Sequence, residues 1–369
     1  MSIEAARKLV ENLDSKICED KLGSPFFNDP RVKTYTLDKS GFHQIRHADA
    51  PCKMVFVDGG NQEIAGAPNF SAQINRAYFS MWNGRERMLE TEVPRRIEFF
   101  SSTHSRFSNR QIFYDTSIFP VQATHKALVP AESDLSFNSF DRTVTIGTQR
   151  ADIARVASIA RVFAEWQLAT EVVKKELNKG DVLVVDRTLQ TAFKNEHKYL
   201  AELVKIAKRK GVIVTGLSKT SALFTDTGLS LIGAVSKLAD DCGIGQEWYF
   251  PVAEIGTEDH DAMILAVKLC GVSNRVFRYE IQREQFKKLS DEEINGVLTQ
   301  MVKNSNDLGF PGYPYGLIDA DRFARISFQE VEYYRGLLLS QLSDTGKWEK
   351  LSRHMRAVDA HSILNMLMG

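Results

Sequence analysis

Apolar residues along this chain fall into two kinds of run. Met54-Val55-Phe56-Val57 and Val182-Leu183-Val184-Val185 are short and unbroken, with the length and bulk of buried strands. From Asp152 to Asn178 the apolar positions Ile153, Val156, Ile159, Ala160, Phe163, Trp166, Leu168, Val172, Val173 and Leu177 instead recur at helical spacing, which predicts a long helix broken at most once. Asn178-Lys179-Gly180 ends it. The strand at 182–185 follows, 188–210 is helical again, Gly211 stops that helix, and Val212-Ile213-Val214-Thr215-Gly216 predicts the next strand. Strand, helix, strand from 182 to 215 is a βαβ crossover, which requires parallel pairing.

The first half has a different pattern. Residues 3–20 predict a helix, and 24–50 a loop-rich lead-in with Pro25, Pro30 and a short strand at 32–37. Asn75–Trp82, Arg96–Phe100 and Arg110–Tyr114 predict antiparallel strands, whereas 120–140 is irregular. The last third predicts strands near 246–251, 261–268 and 275–281, a helix at 289–304 and a final helix over 319–339. The expected fold is α/β: a ribonuclease-H-like mixed sheet flanked by helices, with additional N- and C-terminal helical elements. Boundaries are expected at 1–50 for the N-terminal helix and arm, 51–330 for the catalytic domain, and 331–369 for a C-terminal helical extension.

A chain of 369 residues with 43% hydrophobic content has a substantial core. Lys+Arg and Asp+Glu both number 47, so any polyanion site must be a local patch. Cys18, Cys52, Cys242 and Cys270 lack CxxC spacing, which excludes a zinc knuckle and fits free thiols in a reducing cytoplasm. Without an apolar signal core or a membrane-length run, the expectation is a cytoplasmic protein that does not engage a membrane.

Candidate chemistry begins with Asp58 and Asp186, each placed just past one of the two apolar runs. A carboxylate there emerges at the rim of a sheet, and two on neighbouring strands can share divalent cations, the chemistry of a metal-dependent phosphodiester hydrolase. Aspartate after a strand is equally a turn former or helix cap. Glu165, on the long helix 21 residues before Asp186, offers a third oxygen donor, although Arg161 four residues earlier also suits a surface ion pair. Glu171 is an alternative, facing roughly 240° away. Gly216-Leu217-Ser218-Lys219-Thr220-Ser221 puts a lysine and hydroxyls at a strand end, suited to a phosphate oxygen or simply to solvent, and it lacks the upstream glycine of a Walker motif. Phe310-Pro311-Gly312-Tyr313-Pro314-Tyr315-Gly316 fixes an irregular turn. It presents Tyr313 ahead of Asp319 and Asp321, which are expected in the first turn of the next helix.

Val55-Phe56-Val57-Asp58-Gly59-Gly60, the helix carrying Glu165, Leu183-Val184-Val185-Asp186-Arg187, Gly216–Ser221 and Tyr313 through Asp321 together resemble, in order and spacing, the NurA nuclease family over about residues 50–330. The resemblance implies a manganese- or magnesium-dependent DNA nuclease, a 5′–3′ exonuclease and single-strand endonuclease. It further implies a homodimer that processes DNA ends with a hexameric HerA-type ATPase. Carried over, Asp58, Glu165 and Asp186 are acidic metal ligands, Lys219 and Tyr313 complete the catalytic set, and Asp321 stands where the family often has histidine. Gly60 replaces a usual serine and Arg187 a usual glycine. Arg187 either binds phosphate or neutralises Asp186, and the second outcome implies a catalytically impaired adaptor subunit for the ATPase. Lys205, Lys208, Arg209 and Lys210 at one helix end, with Arg85, Arg87, Arg95 and Arg96, are candidate DNA-tracking charge or an ordinary solvated face. An ATP-using enzyme of the actin/hexokinase type is a third reading, disfavoured by the lack of a second Gly-rich phosphate loop.

Overall fold

The computed structural model describes residues 2–17, 19–47 and 52–355. Helix α1 (Ser2–Lys16) buries none of its side chains. A long antiparallel meander follows: β1 (Lys53–Ala67), β2 (Phe70–Asn83), β3 (Arg96–Ser108) and β4 (Gln111–Pro120). Helices α2 (Ile153–Ala157) and α3 (Ile159–Lys175) then lead into β5 (Val182–Val185), α4 (Glu196–Lys210) and β6 (Ile213–Ser218). After α5 (Leu231–Asp241) come β7 (Trp248–Gly256), β8 (Asp261–Lys268) and β9 (Phe277–Gln282). The main elements close with α6 (Asp291–Lys303), α7 (Tyr315–Ala324) and α8 (Phe328–Asp344).

The nine long strands and four short ones form a 13-stranded sheet whose core order is β7-β8-β9-β6-β5-β1-β2-β3-β4. Among the described strands only β5 pairs in parallel, with β1 on one side and β6 on the other. These are the two places where helices carry the chain back across the sheet. An antiparallel β3-β2-β1 meander continued by parallel β5 and β6 is the mixed sheet of a ribonuclease-H-like α/β fold, as the sequence predicted.

Strand alternation sorts the core into two layers. Val55, Val57, Leu183, Val185 and Val214 face Phe163, Trp166 and Leu203 of α3 and α4. Met54, Phe56, Val182, Val184 and Leu217 face Leu298, Met301 and Leu317 of α6 and α7. All four residues of β5 are buried, so that strand has no polar alternation to show.

Several expectations need correction. Strand β1 does not stop before Asp58 but runs on to Ala67, paired with β2 throughout. The helix expected over 188–210 starts only at Glu196. Residues 188–195 form a loop, with Asn195 in the left-handed region at φ 70° and the Ala192 and Phe193 N–H groups donating to the Glu196 carboxylate. The helix expected over 319–339 is two helices, because Ser327 and Glu330 form a capping box that starts α8 afresh. The single break allowed in the 152–178 helix falls at Ser158. Helix α5, capped by Ser230 and buried through Leu231, Ala234, Val235 and Ala239, was not anticipated. Cys18 lies outside the described residues, and Cys52, Cys242 and Cys270 are free thiols. Among the described residues no helix is long and apolar enough to cross a membrane.

Candidate metal and phosphate site

Parallel pairing sets Val57 opposite Val185, so Asp58 and Asp186 leave adjacent strands side by side. The Asp186 N–H still donates to the Val57 carbonyl at 3.1 Å. Beyond this point β1 continues along β2 while β5 turns away, and the rim between them opens. Even steps from Phe56 and Val184 put both carboxylates on the face covered by α7.

That face supplies the other members. Tyr313, in the loop between α6 and α7, donates its hydroxyl to Asp186 Oδ1 at 2.9 Å. Lys219, one residue past β6, lies 2.6 Å from Asp186 Oδ2 and 2.8 Å from Asp321 Oδ1. Asp58, Asp186 and Asp321 each offer a carboxylate oxygen, all within 4.8 Å of one another. Asp319 and Asp321 sit inside α7 rather than in its first turn. Asp319 turns away to Arg87 at 2.8 Å, which leaves Asp321 as the helix's contribution.

Glu165 approaches from the opposite layer. It is 5% exposed, ion-paired to Arg161, and 3.9 Å from Arg187. A Cβ at Gly59 would overlap its Oε1, so a glycine on β1 is what lets this carboxylate come in beside Asp58. Glu165 is thus half of an i,i+4 pair with Arg161, buried rather than on the surface as the pairing alone suggested, and it neighbours Asp58. It stays outside the tightest carboxylate triad because Arg161 engages it. Glu171 is instead bound to Lys174 at 2.6 Å.

Burial, then the charges of Glu165 and Asp186, push the Asp58 carboxyl up to about 8. Burial pulls the Lys219 ammonium down, but Asp186 and Asp321 outweigh it, so Lys219 is held charged. Burial and Asp186 raise the Tyr313 phenol, which keeps its proton to donate. An excess of converging carboxylate oxygens, one of them driven to hold a proton, is the donor set a hard divalent cation such as Mg²⁺ or Mn²⁺ takes. These residues fit such an ion.

The sequence departures have structural accounts. Arg187 does not neutralise Asp186. It pairs with the fully buried Glu196 at 2.9 Å and stacks over Trp166 at 5.0 Å, and Trp166 Nε1 donates to the same Glu196 oxygen at 2.9 Å. At Gly60 a Cβ would come within 2.5 Å of the Ala324 carbonyl, so glycine lets the end of α7 close onto β1. Lys205, Lys208, Arg209 and Lys210 end α4, which feeds the start of β6 at the opposite end of the parallel strands. Lys210 donates to the Lys174 carbonyl at 2.7 Å, and Lys205 and Lys208 line a groove beside Gly256–Glu258. The fold thus does not gather this group at the carboxylates. Nor does it bring Arg96 there, which faces Glu98 at 3.6 Å.

Asn304, fully buried at the end of α6, carried no sequence signal. Its carbonyl accepts from Tyr315 N at 2.6 Å, its Oδ1 from Gly316 N at 2.9 Å, and its Nδ2 donates to the Gly84 carbonyl at 3.2 Å. It caps the start of α7 and so holds the loop that presents Tyr313.

No curated protein and no solved structure matches the chain. The NurA domain model matches residues 52–326, spanning every element that supplies the carboxylates, Lys219 and Tyr313. The chain belongs to the NurA domain family, a family of nucleases.

Proposed function

We propose that this protein is a Mg²⁺- or Mn²⁺-dependent deoxyribonuclease that hydrolyses phosphodiester bonds in single-stranded DNA and at 5′ ends. In this reading it works in the cytoplasm as a homodimer, in DNA end processing with a hexameric HerA-type ATPase. The observation that carries it is the convergence of Asp58, Asp186 and Asp321 oxygens within 4.8 Å beside a charged lysine.

Asp58, Asp186 and Asp321, with Glu165 behind Asp58, would hold the cations. Bound there, divalent ions supply Lewis acidity toward the scissile phosphate and lower the pKa of coordinated water. Lys219 sits where it can neutralise the charge that grows on the phosphoryl oxygens at the transition state. Tyr313 fixes the orientation of the Asp186 carboxylate by donating to its Oδ1. Arg187 is committed to Glu196 and Trp166 rather than to Asp186, which favours an active enzyme over an impaired adaptor subunit.

The test is degradation of a single-stranded oligonucleotide by the purified chain in manganese. D58A and D186A are expected to lose at least about a hundredfold in rate while unfolding in a single transition near the wild type. Full activity in either variant would sink the assignment.

A further inference from the structure

Lys219 and Tyr313 are one end of a longer row. Lys219 Nζ lies 5.7 Å from the centroid of the Tyr313 ring, and Tyr313 stacks on Phe310 at 4.9 Å with 19° between planes. Phe310 in turn carries the Arg275 guanidinium, 4.5 Å from its centroid. Phe277 supports both rings from the sheet, at 5.4 Å from Tyr313 and 6.3 Å from Phe310.

Topology explains why this row starts at the carboxylates. Ser218 pairs with Arg278, so the loop from Leu269 to Val276 that enters β9 lies at the same end of the sheet as Lys219. That loop and the Tyr313 loop pack together: a Cβ on Gly312 would sit 3.3 Å from Ser273 Oγ. Arg278 and Arg283 end on carboxylates, whereas among the described residues Arg275 has none within 4 Å. The two loops also carry the most exposed large apolar side chains near the site, Val272 at 91% and Leu308 at 99%.

A cation held by an aromatic ring, unpaired, solvent-facing and flanked by bare apolar groups is the combination that follows a single-stranded polyanion with unstacked bases. We propose that Arg275 and Phe310 form a strand-holding subsite. Arg275 takes a backbone phosphate of single-stranded DNA further along the strand from the one at Lys219, and Val272 and Leu308 give the adjoining bases an apolar surface. The subsite rests on the nuclease reading for the identity of its ligand. It adds a residue that sets where the strand lies.

Fluorescence anisotropy of a labelled oligothymidylate, in EDTA so that no cleavage occurs, tests it on the full chain. R275Q is expected to bind about fivefold more weakly and to lower the slope of log affinity against log salt by about 0.7. R275K should recover the slope but only part of the affinity, since lysine does not stack on Phe310 as a planar guanidinium does. R106Q, which removes an exposed cation on the far hairpin, should bind as the wild type does. Unchanged affinity and slope in R275Q, or an equal loss in R106Q, overturns the subsite. Wild-type protein that neither binds nor cleaves single strands would overturn the nuclease reading itself. Wild-type protein that does both, beside an unaltered R275Q, overturns the subsite alone.

Discussion

Replacing Asp58 with asparagine is expected to stabilise the metal-free protein at pH 8. In the folded chain the Asp58 carboxyl titrates at about 8 against an ordinary 3.8, through burial and the charges of Glu165 and Asp186. A carboxyl raised on folding binds its proton more tightly in the native state, so native stability falls as pH climbs from about 4 to about 8. Four pH units at about 1.36 kcal/mol each set an upper bound of about 5 kcal/mol. Because Glu165 and Asp186 share the titration, about 2 kcal/mol is the figure to expect. Asparagine keeps the shape without the charge, and its gain corresponds to about 3 °C in midpoint. The assay is thermal unfolding of both proteins in EDTA from pH 5 to pH 9, repeated with millimolar Mg²⁺ or Mn²⁺. The D58N advantage should shrink toward pH 5, and added ion should raise the wild type more than the variant by mass action. A D58N protein that melts below wild type at pH 8, or differs from it by the same amount at every pH, would refute the reasoning.

Two further outcomes test the surrounding architecture. R187G should destabilise the fold by about 2 kcal/mol because buried Glu196 loses its cation while keeping three N–H donors; weaker strand binding with an unaltered melting point would mean Arg187 serves DNA instead. N304L strips the cap from α7 and leaves the Gly316 N–H without its acceptor, so denaturant titration should show a loss of about 2 kcal/mol and cleavage per folded molecule should drop; wild-type cleavage would show that the Tyr313 loop holds its place without it.

The linear chain determined the strands around Val55–Val57 and Val182–Val185, the βαβ crossover and the identities of the acidic residues, because these follow from local period and composition. That Asp58 and Asp186 end up together was decided by the parallel pairing of β5 with β1, a long-range contact that local period leaves open. The linear chain did not determine where β1 ends, because pairing with β2 carries that strand on to Ala67 whatever its own hydrophobicity. Nor could it tell helix from loop at 188–195, where a buried Glu196 gathers backbone N–H groups that a helix would have used internally. The fates of Arg187, Asp319, Asp321 and Arg275 were decided only by tertiary structure. Each is a long or polar side chain at a rim, and which partner it reaches depends on elements distant in sequence. Arg187 found Glu196 and Trp166, Asp319 found Arg87, and Asp321 found Lys219. Arg275 found a ring. Residue type set what chemistry each could do, and the packing of α7 and the β8–β9 loop against the sheet end set which of it the molecule has.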